Sequence, residues 1–548
     1  MTGRQTDAWE DWPEDTGNIA GPSFSVVMTA SLCGFETELV LVETDLSQGL
    51  PALYLVGLPN LTVKESKERI RSAIINSGHR FPNRRITVNL SPADTKKEGS
   101  HFDLPMAVGV LAASLGLDDS VLRGRAFLGE LSLDGRVCRS GIGLPLILGL
   151  RESGIREVFL PEGNINEAMA VDGLALYPVT HLNQVVGHLN GESPMIPVLT
   201  SSDGAAMYMS GEPDTEIDDF SEVKGQEAAK RAFQICAAGG HDMSMCGPPG
   251  VGKSMLAERL PGILPPLSQQ EMLEVTKIYN IAGRNPWEGK LVSRRPFRAP
   301  HHSIPPASLL GGGARPTPGE LSLAHLGALF LDELPEFERR TLDMLRQPLE
   351  DGFIDLSRVG NHCRYPCDFI LVTARNPCPC GYYGDPFHTC TCKSWQRQRY
   401  RDRVSGPLLD RIDIHITVNR VMYKDFKDDT SCLSSGRIRE GVIAAREMQE
   451  HRYRDENVKV NSRLNAAFTD KYCSLDREGD ALMKSAFKAF GLSARQGKKM
   501  VRLARTIADI EGAEKISEEH LAEAIGYRRA EPDEGLAAYS RGGAGEDD

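Results

Sequence analysis

The sequence predicts a multidomain α/β protein, with an α/β domain at the N-terminus, a doubly wound parallel-sheet core and an α-helical lid at the C-terminus. Three observations support this prediction. The chain has 548 residues, which is too long for one hydrophobic core. A glycine-rich turn at 247–254 separates a short apolar run from a helical pattern, as in a strand–loop–helix unit. Beyond residue 435, apolar residues recur at helical spacing.

Composition and charge exclude several classes of protein. The apolar stretch Leu104–Leu117 is shorter than a membrane span, and the acidic N-terminal region is unlike a secretory or mitochondrial presequence. We therefore expect a cytoplasmic protein without a membrane partner. The net charge of −12 argues against a protein that coats nucleic acid, but it leaves open a motor that grips a strand with a few basic loops.

The N-terminal part reads as one compact α/β domain at residues 21–199, where short strand patterns alternate with helical ones. It includes a helix over Val63–Ser77 and an apolar helix that begins at Asp103. Residues 1–20 are predicted to be a disordered acidic tail, and the polar residues 200–218 an interdomain linker.

Two segments of this domain, Lys96–Met106 and Gly129–Leu144, resemble the proteolytic domain of Lon proteases. Such enzymes need a serine nucleophile and a lysine base, since a hydroxyl alone is a weak nucleophile at neutral pH. Here the serine position falls close to Asp103 and the lysine position close to Leu146, and the nearby Ser100 reads as a loop residue beside glycine. We expect a Lon-like fold that has lost protease activity and serves as a scaffold or docking surface.

The predicted core, residues 219–425, contains a phosphate-binding loop with the full G-x-x-x-x-G-K-[ST] spacing. Its glycines allow backbone N–H groups to close around a phosphate, and the following helix adds its N-terminal dipole. Lys253 would reach the β- and γ-phosphates, and the Ser254 hydroxyl would bind Mg²⁺, so ATP and Mg²⁺ are the expected cofactors. The loop consists of Gly247, Pro248, Pro249, Gly250, Val251, Gly252, Lys253 and Ser254.

An apolar run, Gly327–Leu331, leads into two carboxylates. Asp332 is suited to coordinate Mg²⁺, and Glu333 is suited to orient and polarise the attacking water. A solvated turn is the alternative, but the position of the pair after a phosphate loop favours catalysis.

Three further positions resemble elements of AAA+ ATPases. Gln226, just ahead of the helix before the phosphate loop, resembles the element on the adenine side. Asn376 follows the buried run Phe369–Ala374 and matches the polar residue that helps position the water. Arg495 opens a C-terminal helix at the place of a second sensor arginine.

Arg411, within Ser405–Asp413, resembles the arginine that enters the neighbouring subunit's site and neutralises charge on the γ-phosphate. A local ion pair with Asp410 or Asp413 is the alternative. An arginine that acts on a neighbour implies a ring, and a homo-hexamer is expected.

Four segments together resemble the YifB/ComM family of magnesium-chelatase-like AAA+ ATPases, and the resemblance extends over about residues 22–530. It implies a DNA-directed motor that drives branch migration when transforming DNA is integrated. The segments are Arg295–Ser303, Leu331–Phe337, Asn376–Gly381 and Ser405–Asp413.

Two C-x-C pairs, Cys378/Cys380 and Cys390/Cys392, are separated by nine residues. Four thiolates in a short loop match a tetrahedral structural zinc site, although the pairs are closer than the usual ligand spacing. Four free thiols are the alternative. A zinc ion here would staple the segment between Asn376 and Arg411.

Two insertions carry basic residues at the places where AAA+ proteins have pore loops, and single-stranded or branched DNA is the expected partner. Basic loop tips would bind phosphates without reading bases. The basic, aromatic segment 393–403 could join them or form a solvated or intersubunit surface. The His301–His302 pair is not expected to bind metal, because it is a polar loop pair without a nearby carboxylate. The insertion residues are Arg284, Lys290, Arg294, Arg295, Arg298, His301, His302 and Arg315, then Arg358, His362 and Arg364.

Residues 426–530 are predicted to form the helical lid, and residues 531–548 a disordered tail. The resulting hypothesis is an ATP-hydrolysing AAA+ ring motor that acts on DNA. One alternative is a chelatase-type ATPase that remodels a protein partner. A second is a protease-linked unfoldase, which the missing serine–lysine pair disfavours.

Overall fold

The computed structural model describes residues 23–528 except 94, 142, 201–217, 285–290, 314–315, 359–360 and 422–432. Both predicted tails, and the predicted linker apart from its end residues, lie outside these ranges. The described residues divide into two compact units, one formed by residues 23–200, 269–293 and 357–364, the other by residues 218–268, 294–356 and 365–528, with the gaps given above.

The first unit is built on an eight-stranded mixed sheet with the strand order β10-β9-β8-β5-β1-β2-β4-β3. Strands β6 and β7 form a separate two-stranded sheet. Strand β2 buries every second residue from Val40 to Leu46. It pairs antiparallel with β1, from Phe24 opposite Asp45 to Cys33 opposite Glu36. The strands are β1 (Phe24–Cys33), β2 (Glu36–Ser47), β3 (Ala52–Val56), β4 (Arg85–Ser91), β5 (Arg125–Phe127), β6 (Glu130–Leu131), β7 (Val137–Cys138), β8 (Glu157–Pro161), β9 (Ala175–Val179) and β10 (Val198–Leu199).

The helices of this unit begin and end at residues with a clear local cause. The Asn60 side chain accepts a hydrogen bond from the Val63 backbone N–H, so the first helix begins at Leu61, two residues before the predicted start. The apolar second helix ends at Leu115 and is capped by Gly116, whose φ of 67° is costly for other residues. The helices are Leu61–Asn76, Asp103–Leu115, Leu144–Glu152, Ile165–Ala168, Leu182–Leu189 and Gln269–Ile281.

Two segments that were predicted to belong to the ATPase core lie in the first unit. In helix Gln269–Ile281, the Lys277 ammonium lies over the Phe35 ring, 4.3 Å from its centroid. Cys363 is buried against Gly34, where an added Cβ would lie 2.8 Å from its sulfur. Both contacts join residues far apart in sequence, which periodicity cannot detect.

The positions matched to the Lon nucleophile and base contain no such pair. Asp103 is fully buried, and its carboxylate accepts hydrogen bonds from Arg69 Nε at 2.7 Å and Arg69 Nη2 at 3.1 Å. Burial raises the pKa of Asp103, and the bonds from Arg69 oppose that rise. Leu146 is buried in helix Leu144–Glu152. The two side chains therefore serve the packing of the domain.

The second unit contains a five-stranded, fully parallel sheet with the order β12-β15-β18-β11-β19. The central strands are buried along their whole length, as expected for a parallel sheet with helices on both faces. Strands β13 and β14 form a small pair, and β16 and β17, whose residues 357–364 belong to the first unit, form another two-stranded sheet. The strands are β11 (Met243–Cys246), β12 (Phe297–Arg298), β13 (Gly311–Gly312), β14 (Thr317–Pro318), β15 (Ala328–Leu331), β16 (Phe353–Arg358), β17 (Asn361–Pro366), β18 (Ile370–Arg375) and β19 (Ile414–Thr417).

The core helices are mostly short, because proline and glycine interrupt them. The helix after the phosphate loop ends at Glu258, and Pro261 lies in the separate turn Leu260–Ile263 that follows. The core helices are Glu227–Gly239, Lys253–Glu258, Leu260–Ile263, Pro306–Leu310, Glu320–Leu323, Arg339–Met344, Arg346–Asp351, Ser394–Arg401 and Gly406–Leu409.

The predicted lid is helical, and each of its five described helices begins after a polar residue whose side chain accepts a backbone N–H. One hydrophobic core connects the sheet to the lid through residues such as Met245, Leu256, Val442 and Leu503. Among the described residues, no helix is both long and apolar enough to cross a membrane. The lid helices are Ser435–Tyr453, Ala466–Tyr472, Arg477–Phe490, Ala494–Ile510 and Glu518–Gly526.

Candidate nucleotide site

The phosphate loop follows the carboxyl end of β11, between β18 and β19 in the parallel sheet. Gly247 N donates a hydrogen bond to Arg375 O at 3.2 Å, and an added Cβ on Gly247 would lie 2.3 Å from Val418 O. Gly250 and Gly252 have φ of 77° and 87°, in the left-handed region that favours glycine. The motif's glycines are therefore required by the close approach and turns of the backbone.

The Lys253 ammonium is buried within the loop. Its Nζ donates to Gly247 O at 2.7 Å, to Pro248 O at 2.9 Å and to Asn376 Oδ1 at 3.1 Å. Burial lowers the pKa of Lys253, and the negative charge of Asp332 acts against that effect. The structure thus brings Lys253 and Asn376, 123 residues apart, to one site.

The two carboxylates after β15 lie beside the loop. Ser254 Oγ donates to Asp332 Oδ2 at 3.0 Å, which places together a hydroxyl and a carboxylate that could hold Mg²⁺. Glu333 has φ of 49°, and its N–H donates to Asp332 Oδ1 at 2.8 Å. Strained backbone of this kind is concentrated at functional sites. The Glu333 side chain is 52% exposed, so water can reach it.

His302 was not predicted to have a role at this site. Its Nδ1 lies 3.4 Å from Glu333 Oε2, and its ring stands edge-on to Phe337. A carboxylate is therefore close to the His301–His302 pair in space, which corrects the reason for setting the pair aside. The two adjacent histidines were a visible signal in the sequence. Their closeness to Glu333 was not predictable, because 31 residues separate His302 from Glu333.

Gln226 and Gly381, which lies in the segment of the four cysteines, each contact a residue in the phosphate loop or in the segment beside it. Gln226 has φ of 61°, and its side-chain amide donates to Asn419 O, just beyond β19. An added Cβ on Gly381, next to Cys380, would lie 2.7 Å from Cδ of Pro249. Gln226 thus contacts the segment after β19, whose Val418 lies beside Gly247, and its adenine-side role stays a prediction.

Arg411 and Arg495 converge on one residue, Glu350. Arg411 Nη2 lies 2.8 Å from Glu350 Oε1, and Arg495 Nη2 is hydrogen-bonded to the same oxygen. These hydrogen bonds and charges lower the pKa of Glu350, with Arg495 contributing most. Within the described residues, neither arginine contacts the phosphate loop. No sequence signal pointed to Glu350, because 61 residues separate it from Arg411.

The local partners considered for Arg411 are occupied by other side chains. Asp413 accepts from Lys499 Nζ at 2.6 Å and pairs with His241 Nδ1 at 2.8 Å. Asp410 accepts from Gln496 at 3.0 Å. The ion pair of Arg411 is thus made with Glu350. The buried Asp413–Lys499 pair fixes the lid helix that carries Arg495 to the segment that carries Arg411.

Cys378, Cys380, Cys390 and Cys392 place their sulfur atoms within 4.8 Å of one another. The closest pairs are 3.3 to 3.7 Å apart. A zinc ion about 2.3 Å from each sulfur would hold tetrahedral sulfurs about 3.8 Å apart, so the cluster fits zinc. Burial opposes ionisation of Cys380, but hydrogen bonds from the backbone N–H groups of Tyr382 and Thr391 lower its pKa to about 6.

The cluster predicts that the purified chain contains about one zinc per chain. Cys390→Ser removes one ligand and should reduce the metal content below about half an equivalent. Cys138→Ser, at a free cysteine outside the cluster, should leave it unchanged. Elemental analysis measures the zinc content of the wild type and the two variants, and a metal-free wild type would contradict a structural zinc site.

The basic residues of the first insertion are partly used by the fold. Arg298 pairs with Glu320 through bonds of 2.6 and 3.0 Å, and Arg295 donates to Leu326 O at 2.7 Å. These two arginines therefore hold the insertion in place and do not stand at loop tips. Lys290 and Arg315 lie outside the described residues, as do residues 359–360.

The parallel sheet carries a phosphate loop after one strand, paired carboxylates after a second and an asparagine after a third, and it is joined to a helical lid. This arrangement defines an ATPase of the AAA+ class. Three family models match this chain. They are described as "Magnesium chelatase, subunit ChlI" over residues 219–426, "Subunit ChlI of Mg-chelatase" over 42–164, and "Magnesium chelatase, subunit ChlI C-terminal" over 433–528.

The full-length relatives agree with these models. The YifB protein of Salmonella typhimurium is 42% identical over 514 residues, which cover 92% of this chain and 97% of the relative. The competence protein ComM of Haemophilus influenzae is 41% identical over 507 residues, 92% of this chain and 97% of the relative. This chain belongs to the YifB/ComM family of magnesium-chelatase-like AAA+ ATPases.

The Lon-like N-terminal region is also confirmed. The Lon protease of Leptospira interrogans is 27% identical over 154 residues, 27% of this chain and 18% of that protein. Family membership implies ATPase activity and the use of ATP and Mg²⁺.

Proposed function

We propose that this chain is the subunit of an ATP-hydrolysing ring motor that acts on DNA. The observation that carries the proposal is the convergence of Lys253, Ser254, Asp332, Glu333 and Asn376 at one end of the sheet. This arrangement can hold Mg·ATP and place a water for in-line attack, with Glu333 as the base and Asn376 beside the γ-phosphate. Arg495 would contact the nucleotide of its own chain.

The ring is proposed from Arg411. In the single chain, Arg411 pairs with Glu350, which is 41% exposed. The γ-phosphate of a neighbouring subunit carries more charge than one carboxylate and could draw the guanidinium away. Because Arg411 and Arg495 share Glu350, a shift of one arginine would change the charge around the other. A homo-hexamer is the ring size implied by the family resemblance.

The DNA substrate is supported by the name of the ComM relative, a competence protein, and by clustered basic residues in a chain of net charge −12. Branch migration during recombination of transforming DNA is the activity that we propose. The N-terminal domain is proposed to dock a partner without cleaving it, since Asp103 and Leu146 cannot act as nucleophile and base.

The test is steady-state ATP turnover with single-stranded DNA, branched DNA or no DNA. We expect branched or single-stranded DNA to stimulate turnover, with binding that weakens as salt is raised. A chain that hydrolyses ATP but neither binds DNA nor responds to it would contradict the DNA substrate and leave the ATPase proposal intact.

A second candidate is a remodelling ATPase that acts on a protein partner, favoured by the magnesium-chelatase descriptions of all three matched models. Under this function, DNA leaves turnover unchanged and a partner protein stimulates it.

A further inference from the structure

Outside the nucleotide site, a shallow surface depression brings together two segments that are distant in sequence. Its floor includes Pro335 and Phe337, and its rim carries three arginines. Trp395 stands one helical turn before Arg399 in helix Ser394–Arg401, so the two side chains lie on the same helix face. We name the three rim arginines, Arg339, Arg399 and Arg403, together with Trp395 on the helix of Arg399, the Arg399 patch.

The patch has an excess of positive charge. Three arginines and two carboxylates line the depression: Glu336 accepts two bonds of 2.9 Å from Arg403, and Asp402 accepts from Gln398 at 2.8 Å. Arg339 and Arg399 are exposed, and neither makes an ion pair with another described residue. Residues 393–403 contain five basic residues and one acidic residue, whereas the whole chain has a net charge of −12.

The patch also exposes an aromatic face, since Trp395 is 59% exposed. A large exposed aromatic beside unpaired arginines matches the way proteins hold single strands, with bases stacked on rings and phosphates bound by cations. The fit is independent of base sequence, which a motor that moves along DNA requires.

We propose that the Arg399 patch binds single-stranded nucleic acid, with a base stacked on Trp395 and phosphates held by Arg339 and Arg399. The proposal deepens the proposed DNA motor and rests on it. Glu336, on the rim of the depression, donates its N–H to Glu333 O at 2.7 Å. A strand bound at the patch therefore lies against the turn that carries the catalytic carboxylate, which links DNA binding to hydrolysis.

The test measures binding of a fluorescent oligothymidylate by anisotropy, using the full chain with a non-hydrolysable ATP analogue. Trp395→Ala should weaken binding about 10-fold, the loss typical of one stacked base. Arg339→Ala combined with Arg399→Ala should reduce the slope of log affinity against log salt by about 1.4, which corresponds to two phosphates of a single strand. Basal ATPase without DNA should be unchanged, and stimulation by DNA should fall.

Two matched controls lie far from the patch in sequence. Tyr54→Ala removes a 47% exposed aromatic, and Arg477→Ala removes an exposed arginine; both should bind the oligonucleotide like the wild type. Wild-type affinity and salt slope in the patch variants overturn the proposal. A loss of ring mass in light scattering on Trp395→Ala also overturns it, because the patch is then a subunit interface. A wild type that binds no DNA overturns the DNA motor itself.

Discussion

Glu333→Gln is expected to bind ATP with nearly wild-type affinity and to hydrolyse it roughly 10²–10⁴-fold more slowly, the range for loss of a positioned base. The amide keeps the size of the side chain but cannot polarise the attacking water. The phosphate loop, Ser254 and Asp332 are untouched, so the nucleotide should remain trapped in the site. Single-turnover hydrolysis and equilibrium binding of a fluorescent ATP analogue measure the two quantities separately.

The matched control is Glu338→Gln, which changes an exposed carboxylate five residues further along the chain. It should hydrolyse ATP at the wild-type rate. If Glu333→Gln turned over ATP normally, the base would be another group, and the contact between Glu333 and His302 would be structural.

Arg411→Ala is expected to lower the turnover rate by roughly 10³–10⁵-fold, the contribution of an arginine that acts on a neighbour's γ-phosphate. Its own phosphate loop remains intact, so the defect lies in the site of the adjacent subunit. Mixing Arg411→Ala chains with Lys253→Ala chains should therefore restore activity, because some interfaces combine an intact phosphate loop with an intact arginine. Turnover across a series of mixing ratios measures the effect.

Glu350→Gln separates this role from a local ion pair. It removes the charge that pairs with both Arg411 and Arg495 but leaves both arginines in place. If the pair only stabilises the fold, Glu350→Gln and Arg411→Ala should be similarly impaired, and mixing should rescue neither. If Arg411 acts in trans, Glu350→Gln should retain most of the wild-type turnover.

The elements that were predicted well are those with a local physical cause. The phosphate loop needs glycines at fixed positions because the backbone approaches Val418 O and turns through positive φ. Buried parallel strands read as continuous apolar runs, which is why β15 and β18 could be placed before Asp332 and Asn376. The spacing and number of the four cysteines predicted that their sulfur atoms form one cluster that could hold a metal ion.

The interactions that were missed join residues far apart in the chain. Nothing in the local pattern around Glu350 distinguishes it from an ordinary surface carboxylate, yet it contacts both Arg411 and Arg495. Arg298 was expected at a loop tip, but its partner Glu320 lies 22 residues away and holds it in the fold. The short-range pattern determines which groups are available, whereas pairing depends on how the strands are ordered.

The sequence by itself determined the α/β class, the nucleotide chemistry, the Lon-like region and the family, because each depends on residue types at short, fixed spacings. Only the tertiary structure decided which of those residues meet. The sheet order places β18 beside β11, which brings Asn376 to Lys253, and the lid helix brings Arg495 to Glu350. The tertiary structure also decided that Arg339 and Arg399 share one surface, because a charge interacts with groups that are close in space, whatever their separation along the chain.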